Sequence, residues 1–506
     1  MQKASLLTVL KDISNGNFYY FYKQHCRKTL SVLFIFLLSL NVSGKPATTI
    51  VLRGDFPDPT IIRDGNTFYM THSSFEHFPG LLIWKSKDLR HWERVTHALN
   101  TYVGEVWAPD MVKFDEMYYI YFPTSRGGNF VITAKNPAGP WSEPVHIDIK
   151  GIDPGHIATP DGKRYLYLNN GRVAPLAPDG LSVTDEMEPV YEGWIYPLDY
   201  GVECFCLESP KLMYREPYYY MTSAQGGTAG PATSHMAVSA RSKSPLGPWE
   251  NSPYNPVVKT WKASEPWVSK GHATVFSDAK DQWYMVYHGY EYGHWHMGRS
   301  TMIEPIEWTA DGWYKSKVKE LNYQIINNSQ IVSDDFNKPD LNLQWSFSGI
   351  TQEENYQIKN GELTFKTLEN RLHVLHCIPG TPNYEASVKL SATGNAEAGL
   401  VVYFSDAYFA GLGMKNGVVF DLSHGKKHWG PEIKNPNIKY LKLRLDHYSL
   451  YLSYSTDGKN WQPYDIALDV TGYHRNILGV YSLKIGIYGK GEGAVTVDDF
   501  VFKPIK

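Results

Sequence analysis

Five polar residues with side chains that can do acid–base chemistry recur along the first part of the chain. They are Asp58, Asp110, Asp153, Glu208 and His272. Carboxyl groups can donate or accept a proton, and histidine can hold a proton near neutral pH. Any one Asp before Pro, such as Asp58 or Asp153, has an ordinary explanation as the first residue of a turn. Three carboxylates and a histidine brought together have no such structural explanation, because like charges repel and burial penalises each ionised form.

Each of the five residues lies at the start of the same pattern, which has a small residue or Pro beside the polar residue, a few apolar residues, a turn and an aromatic-rich strand. The aromatic-rich strands are predicted at residues 67–70, 118–121, 165–167, 218–221 and 283–287. The pattern predicts five β-hairpins. Successive anchors lie 52, 43, 55 and 64 residues apart, about the length of one four-stranded propeller blade. We therefore predict a five-bladed β-propeller, whose closed ring brings the five anchors to one central axis.

The repeat fades after Trp313, where the chain passes into a segment rich in Asn, Ser and Asp at residues 327–335. Strands with alternating apolar residues follow, for example at residues 384–390, 441–445 and 495–500. This pattern of alternating strands is typical of a β-sandwich. The predicted fold is all-β: a five-bladed propeller in residues 45–325 and a concanavalin-like β-sandwich in residues 333–506.

An apolar run at residues 30–40 follows Lys23, Arg27 and Lys28 and precedes the small residues Ser43 and Gly44. This is the layout of a secretory signal, and the run is too short to span a bilayer comfortably. We expect residues 1–44 to form a signal-peptide region. The predicted destination is the periplasm or the medium, with no membrane span after the signal is removed.

Composition excludes several classes of protein. The formal net charge of -3 gives no positive field for nucleic acid, and 42% hydrophobic residues exclude a disordered chain. The 15 Trp and 36 Tyr residues suit strands and sugar-binding surfaces. Cys204, Cys206 and Cys377 remain after the signal region, too few for a disulfide framework, and we interpret them as buried structural thiols.

The blade motifs resemble those of glycoside hydrolase family 43, a family of inverting glycosidases built on a five-bladed propeller. The similarity covers residues 49–316, and the carboxy-terminal part is similar to the sandwich appended to many members. The motifs that carry the resemblance are Asp58-Pro59-Thr60, Trp107-Ala108-Pro109-Asp110, Ile152-Asp153-Pro154, Glu208-Ser209-Pro210-Lys211 and Gly271-His272-Ala273.

The resemblance implies a role for each of three carboxylates. Asp58 is expected to be the general base that activates water, Glu208 the general acid that protonates the leaving oxygen, and Asp153 the acid that orients Glu208 and raises its pKa. An ionised Asp153 favours a protonated Glu208 by like-charge repulsion. Inversion also requires room for a water molecule, with about 6.5–9.5 Å between the base and acid carboxyl groups.

The resemblance also points to a set of surrounding residues. His272 matches a position that orients water around a bound cation, usually calcium, and no organic cofactor is implied. Arg299 resembles the family arginine that reaches the substrate. We expect Trp107 to form a ring-stacking wall with Phe75 behind it. Asp110, which lacks one of the three catalytic roles, is assigned to substrate hydrogen bonding or to loop anchoring.

An oligosaccharide or polysaccharide is the implied partner, and the sequence leaves the oligomeric state open. We predict an exo-acting enzyme that releases non-reducing-end α-L-arabinofuranosyl residues from arabinoxylan or xyloglucan side chains. A β-D-xylosidase is the alternative within the family. A carbohydrate-binding protein without activity and a retaining hydrolase of fructosides are alternatives from other classes.

Overall fold

The computed structural model describes residues 45–326, 331–349, 356–479 and 481–505. The predicted signal-peptide region lies outside these residues. Residues Ala47–Lys506 form one compact unit, whose regular structure is almost entirely β. Within the described ranges, no helix has the length and apolar character needed to cross a membrane.

The first two thirds of the described chain fold into five sheets, which are the blades of the propeller. The chain enters through β1 (Thr48–Leu52). Blade one contains β2 (Thr60–Asp64), β3 (Thr67–Thr71), β4 (Gly80–Ser86) and β5 (Glu93–Leu99). Blade two contains β6 (Asp110–Phe114), β7 (Met117–Pro123), β8 (Asn129–Ala134) and β9 (Val145–Ile147). Blade three contains β10 (Gly155–Ala158), β11 (Arg164–Leu168), β12 (Arg172–Leu176) and β13 (Glu188–Pro189).

Blades four and five carry additional short strands at their outer edges. Blade four contains β14 (Glu208–Arg215), β15 (Tyr218–Gln225), β16 (Met236–Ser242), β17 (Glu250–Asn251) and β18 (Val258–Lys259). Blade five contains β19 (Trp267–Ser277), β20 (Trp283–Glu291), a short 3-10 helix (Trp295–Met297), β21 (Arg299–Trp308), β22 (Tyr314–Ser316) and β23 (Tyr323–Ile325). The five predicted hairpins are the antiparallel pairs β2–β3, β6–β7, β10–β11, β14–β15 and β19–β20.

The ring is closed by the amino-terminal strand. β1 pairs antiparallel with β21, with Thr49 opposite Ile303 and Ile50 opposite Met302. Blade five is therefore built from both ends of the propeller sequence, which removes the open edge that a linear array of blades would have. This closure and the five hairpins confirm the predicted propeller.

The innermost strands approach one another so closely at the axis that some positions admit only glycine. A Cβ atom added to Gly155 in β10 would collide with the carbonyl oxygen of Pro210 in the neighbouring blade, and one added to Gly271 in β19 would collide with the ring of His235. Glycine at these two positions therefore lets the innermost strands of blades three to five converge on the axis.

The remaining strands form two packed sheets. The first contains β24 (Ser346–Ser348), β27 (His373–Cys377), β29 (Glu397–Ser405), β30 (Tyr408–Lys415), β31 (Val418–Ser423), β32 (Lys426–Lys427), β33 (Ile433–Lys434) and β37 (Lys484–Lys490). The second contains β25 (Tyr356–Lys359), β26 (Glu362–Thr367), β28 (Tyr384–Gly394), β34 (Tyr440–Asp446), β35 (Ser449–Ser455), β36 (Gln462–Asp469) and β38 (Gly493–Pro504). A short helix, α1 (Arg475–Leu478), precedes β37.

Alternation of apolar residues explains the sandwich core. In β28, Tyr384, Ala386, Val388 and Leu390 are buried, whereas the residues between them are partly exposed. Side chains of the first sheet, such as Leu400, belong to the same buried cluster. The predicted sandwich is thus present. Strands whose apolar residues alternate with a period of two bury one face, and here the two sheets bury those faces against each other.

The interpretation of Cys204 and Cys206 as buried thiols is wrong. The two residues form a disulfide across Phe205, with their Cα atoms 5.3 Å apart. No strand includes this segment, and Cys206 has a left-handed backbone with φ 39°. The resulting turn brings the two sulfur atoms together. Cys377 is buried and free, as predicted.

Candidate active site

A left-handed backbone turn at the start of the innermost strands aims the predicted catalytic residues at the axis. Asp58, Asp153, Ser209 and His272 have φ values of 58°, 59°, 52° and 59°. Such values are uncommon for residues other than glycine and cluster at functional sites. They occur in four blades, directly before Pro59, Pro154, Pro210 and Ala273.

Two of the predicted anchor residues do not occupy this left-handed position, but lie one or two residues away from it. Glu208 lies one residue before the turn position and Asp110 two residues after the equivalent position, Ala108. Glu208 therefore opens β14, beside Ala224, while Asp110 opens β6 one step deeper along the axis. Asp110 is separated from the other acids for this reason.

Asp58 lies in a strongly polar, buried environment with an exposure of 6%. Arg299 Nη1 donates a hydrogen bond to Oδ1 at 3.0 Å, and Ser73 Oγ donates one to Oδ2 at 2.5 Å. Burial favours the neutral acid, but the positive charge of Arg299 holds the pKa of Asp58 well below its ordinary value. Asp58 is therefore ionised, the state that a general base needs.

Asp153 has the opposite protonation preference. Burial and the negative charges of Glu208 and Asp58 raise the pKa of Asp153 well above its ordinary value, although the backbone N–H of Ser209 donates to its carboxyl group. Since Asp153 and Glu208 repel each other when both are ionised, the pair retains one proton at pH values where an isolated carboxyl group would lose it. The propeller axis thus holds an ionised Asp58 beside the Asp153–Glu208 pair, which keeps one proton.

Asp110 and Lys211 form a buried ion pair deeper along the axis. Lys211 Nζ lies 3.1 Å from Asp110 Oδ1 and donates to the carbonyl oxygens of Pro109 and Pro154. Thr60 Oγ1 donates to Oδ1 of Asp110, and the backbone N–H of His156 donates to Oδ2. Both oxygens of Asp110 are therefore engaged by the protein, an arrangement that suits anchoring; which of its two predicted roles it has stays a prediction.

Buried histidines surround Asp58. The backbone N–H of Asp58 donates to His288 Nδ1 at 3.0 Å, and His272 Nδ1 lies 3.3 Å from Asp58 Oδ1. The ring of His235 stacks on that of His288, with centroids 5.2 Å apart. Burial lowers the pKa of His272 to about 3, so its imidazole is neutral. His288 and His235 were not predicted. His288 directly follows the aromatic run predicted at residues 283–287 and lies within β20, so the repeat pattern contained a signal for it.

The predicted substrate walls, Phe75 and Trp107, are adjacent. Phe75 and Val106 exchange two backbone hydrogen bonds, of 2.8 and 2.9 Å, and Trp107 follows Val106 directly. The guanidinium carbon of Arg299 lies 5.9 Å from the centre of the Phe75 ring. Phe75 and Trp107 therefore lie close to Arg299, which contacts Asp58. Their role as a sugar-binding wall stays a prediction.

Comparison with known proteins decides the family. The family model of glycosyl hydrolases family 43 matches residues 47–314, more than half of the chain. The chain belongs to this family. A family model described as the beta xylosidase C-terminal concanavalin A-like domain matches residues 333–480.

Relatives of known activity extend this match, and they make the protein a family 43 glycosidase. The chain is 32% identical, over 76% of its length and 78% of the relative's, to the non-reducing end alpha-L-arabinofuranosidase BoGH43B of Bacteroides ovatus. It is 26% identical, over 83% of its length and 91% of the relative's, to a beta-xylosidase of Bacillus subtilis. A solved structure described as Bacteroides ovatus xyloglucan PUL GH43B superposes with a TM-score of 0.78 at 26% identity, covering 90% of this chain and all of that one.

The sandwich of this family 43 enzyme contributes residues beside the pocket. The ring of Tyr481 packs edge-on against Phe75 with centroids 5.8 Å apart, and its hydroxyl group donates to Glu105 Oε1 at 2.6 Å. Lys484, which is buried, lies 3.4 Å from Glu76. The backbone N–H of Leu483 donates to the carbonyl oxygen of His296. These contacts were not predicted, because the sandwich sequence carries no motif that reports a partner several hundred residues earlier.

The residues around His272 fit a cation only through water. Asp58, His272 and His288 offer ligand atoms within 4.8 Å of one another. One carboxylate and two imidazoles suit a transition metal better than calcium, which takes about six to eight oxygen ligands. Oδ1 of Asp58 is also bonded to Arg299. However, His272 Nε2 is buried, and no group in the described residues hydrogen bonds to it. It could accept from a water molecule of a hydrated cation.

Charge repulsion between Asp153 and Glu208 is expected to set the alkaline limit of activity. If Asp58 is the base and the Asp153–Glu208 pair supplies the acid proton, the pH profile of kcat/KM should stay flat to low pH and fall as the pair loses its proton. Asp153→Asn removes the repulsion that retains this proton, and the alkaline limb should move to lower pH. A profile of Asp153→Asn whose alkaline limb is unmoved would show that Asp153 does not control the proton.

Proposed function

We propose that the protein is an exo-acting, inverting glycosidase that releases non-reducing-end α-L-arabinofuranosyl residues from hemicellulose oligosaccharides. The observation that carries the proposal is the contrast in protonation at the axis. Asp58 is held ionised by Arg299, whereas Asp153 and Glu208 together retain a proton. Two carboxyl sites whose pKa values are driven apart are what acid and base assignments require.

The proposed reaction uses these groups in one displacement. Asp58 accepts a proton from a water molecule, whose oxygen attacks the anomeric carbon from one face of the sugar. Glu208 gives its proton to the glycosidic oxygen as the bond to the anomeric carbon breaks on the other face. The product has the inverted configuration, and proton exchange with solvent restores both carboxyl groups.

Contacts from the sandwich favour removal of a terminal sugar. Tyr481 packs against Phe75, and the N–H of Leu483 bonds beside Arg299, at His296. We infer that these contacts close one side of the site, so that a substrate chain does not continue past the bound sugar. This arrangement supports exo action.

The choice of sugar rests on the relatives. The Bacteroides ovatus relative is described as a non-reducing end alpha-L-arabinofuranosidase, and the related solved structure is described with xyloglucan. The Bacillus subtilis relative is a beta-xylosidase, which makes β-D-xylosidase the second candidate. The two sugars have similar groups around the reacting carbon, so the same carboxyl groups would serve either reaction.

Hydrolysis of a matched pair of substrates tests the proposal. We expect the purified protein to cleave nitrophenyl α-L-arabinofuranoside with a higher kcat/KM than nitrophenyl β-D-xylopyranoside. Preference for the xyloside would replace the first candidate by the second. Proton NMR of the first product should show an inverted anomer; a retained anomer would exclude Asp58 as a base and favour a retaining hydrolase.

We also propose that calcium, where present, binds near His272 through its own water shell. Bound there, the ion would supply fixed water molecules and positive charge beside Asp58. His272 would accept a hydrogen bond from one of these waters through Nε2. Calorimetric titration of calcium into chelator-treated protein should give binding heat in the wild type and none in His272→Ala. Equal heats in both proteins would exclude this site.

A further inference from the structure

A long irregular segment of blade four carries an exposed group of aromatic rings beside the acid. No strand or helix occurs between β13 and β14, at residues 190–207. Ordered loops of this length without regular structure are uncommon in compact domains and usually functional. We define the blade-four aromatic patch as Trp194, Tyr196, Tyr200, Phe205 and Trp261, the last of which comes from the neighbouring segment after β18.

The rings of the patch form a connected surface. Tyr196 stacks on Phe205 with centroids 5.8 Å apart and on Tyr200 with centroids 6.4 Å apart and planes inclined by 5°. Tyr200 meets the ring of Trp261 edge-on at 5.9 Å. Trp261 is nevertheless 60% exposed and Phe205 39% exposed. The rings therefore support one another and still offer faces to solvent.

Hydrogen bonds and the disulfide fix this segment to the end of blade four that carries Glu208. Gln225, the last residue of β15, bonds through its side chain to both the N–H and the carbonyl oxygen of Trp194. The N–H of Gly226 donates to the carbonyl oxygen of Phe205. The disulfide between Cys204 and Cys206 encloses Phe205. The patch is thus a fixed surface and not a loosely attached loop.

The position of the patch indicates what it binds. Phe205 lies three residues before Glu208, and Glu208 pairs with Ala224 directly beside Gln225, the residue that anchors Trp194. The proposed acid protonates the leaving oxygen, so the leaving part of the substrate must extend from the Glu208 side of the pocket. Aromatic faces cover the apolar C–H faces of sugar rings.

Two charged groups near the patch are engaged by the protein. Glu203 Oε2 accepts hydrogen bonds from the N–H groups of Ala229 and Gly230, and Lys259 Nζ lies over the ring of Tyr200 at 4.6 Å. The rings of Phe205 and Trp261 remain exposed, together with the acidic residues Glu192 and Asp199 of the same segment. A neutral glycan chain matches such a surface better than an anionic polymer does.

We propose that the blade-four aromatic patch binds the neutral glycan chain that carries the scissile sugar, on the leaving-group side of the pocket. This inference rests on the proposed function, because it uses Glu208 as the acid. It makes Phe205 and Trp261 determinants of preference for long substrates over short ones.

Kinetics with long and short substrates test the proposal. The ratio of kcat/KM on arabinoxylan or xyloglucan oligosaccharide to kcat/KM on nitrophenyl arabinoside should fall by about three- to tenfold in Phe205→Ala and in Trp261→Ala. Trp429→Ala is the matched control, since Trp429 is 78% exposed on the sandwich and should leave the ratio unchanged. An unchanged ratio in both patch variants, or a fall in the control alone, would overturn the proposal.

A binding measurement separates failure of this inference from failure of the proposed function. Glu208→Gln protein should be retarded in gels containing arabinoxylan or xyloglucan, and adding Trp261→Ala should abolish most of that retardation. We expect this binding result even if the wild type cleaves neither nitrophenyl glycoside. Such a lack of cleavage would contradict the proposed function but not this inference. If sedimentation instead shows a dimer that Trp261→Ala dissociates, the patch binds a second copy and the glycan assignment is wrong.

Discussion

Asp58→Asn is expected to lower kcat by about 10²- to 10⁴-fold on every glycoside, whereas the effect of Glu208→Gln should depend on the leaving group. A general base activates water whatever group departs, so its loss cannot be offset by the substrate. A nitrophenolate departs readily without a proton. The loss of kcat in Glu208→Gln should therefore be much smaller on nitrophenyl arabinoside than on an oligosaccharide, whose leaving alkoxide must be protonated.

A matched surface variant controls for the change from Asp to Asn. Asp64 lies on the same blade as Asp58 at the far end of β2, where Lys113 pairs with it in a partly exposed ion pair. Asp64→Asn should retain wild-type kcat on both substrates. Single-turnover hydrolysis of the two substrates by all four proteins gives the comparison.

The reverse result would exchange the roles. If Asp58→Asn were the variant whose loss depends on the leaving group, Asp58 would be the acid and the charge contrast at the axis would have been assigned to the wrong step. Asp58→Asn also leaves the buried guanidinium of Arg299 without its carboxylate partner. Melting temperatures of the variants must therefore accompany the rates.

The repeat pattern was sufficient to predict the propeller, because each blade has the same buried and exposed periodicity and the same anchor. It was not sufficient to place the anchors in register. Asp110 and Asp58 look equivalent as acids near a proline, but Asp58 precedes Pro59 and Asp110 follows Pro109. Only the left-handed backbone at Asp58, Asp153, Ser209 and His272 shows which positions are equivalent.

Residues that reach the site from other elements carry no local signal. Ser73 contacts Asp58 from the end of β3, and Tyr481 contacts Phe75 from the sandwich. Their positions follow from how the chain returns to the axis and how two domains pack, which no short motif encodes. The disulfide beside Phe205 was missed for a related reason, since no local motif marks the left-handed backbone at Cys206.

Lys211→Met is expected to be the most destabilising single change along the axis, costing roughly 3–5 kcal/mol of the free energy of unfolding. Lys211 and Asp110 have side-chain exposures of 3% and 8%. Methionine fills a similar volume but leaves the carboxylate of Asp110 buried without its cation. It also leaves the carbonyl oxygens of Pro109 and Pro154 without their donor.

A double-mutant cycle distinguishes this explanation from simple loss of packing. Asp110→Asn with Lys211→Met removes both charges, so the double variant should be more stable than the sum of the two single losses predicts. Urea titration of the wild type, both single variants and the double variant measures the coupling. Strict additivity would mean that the two groups do not form the ion pair. The same variants test the anchoring role of Asp110, because Asp110→Asn protein that remains folded should keep its KM if this carboxylate does not contact the sugar.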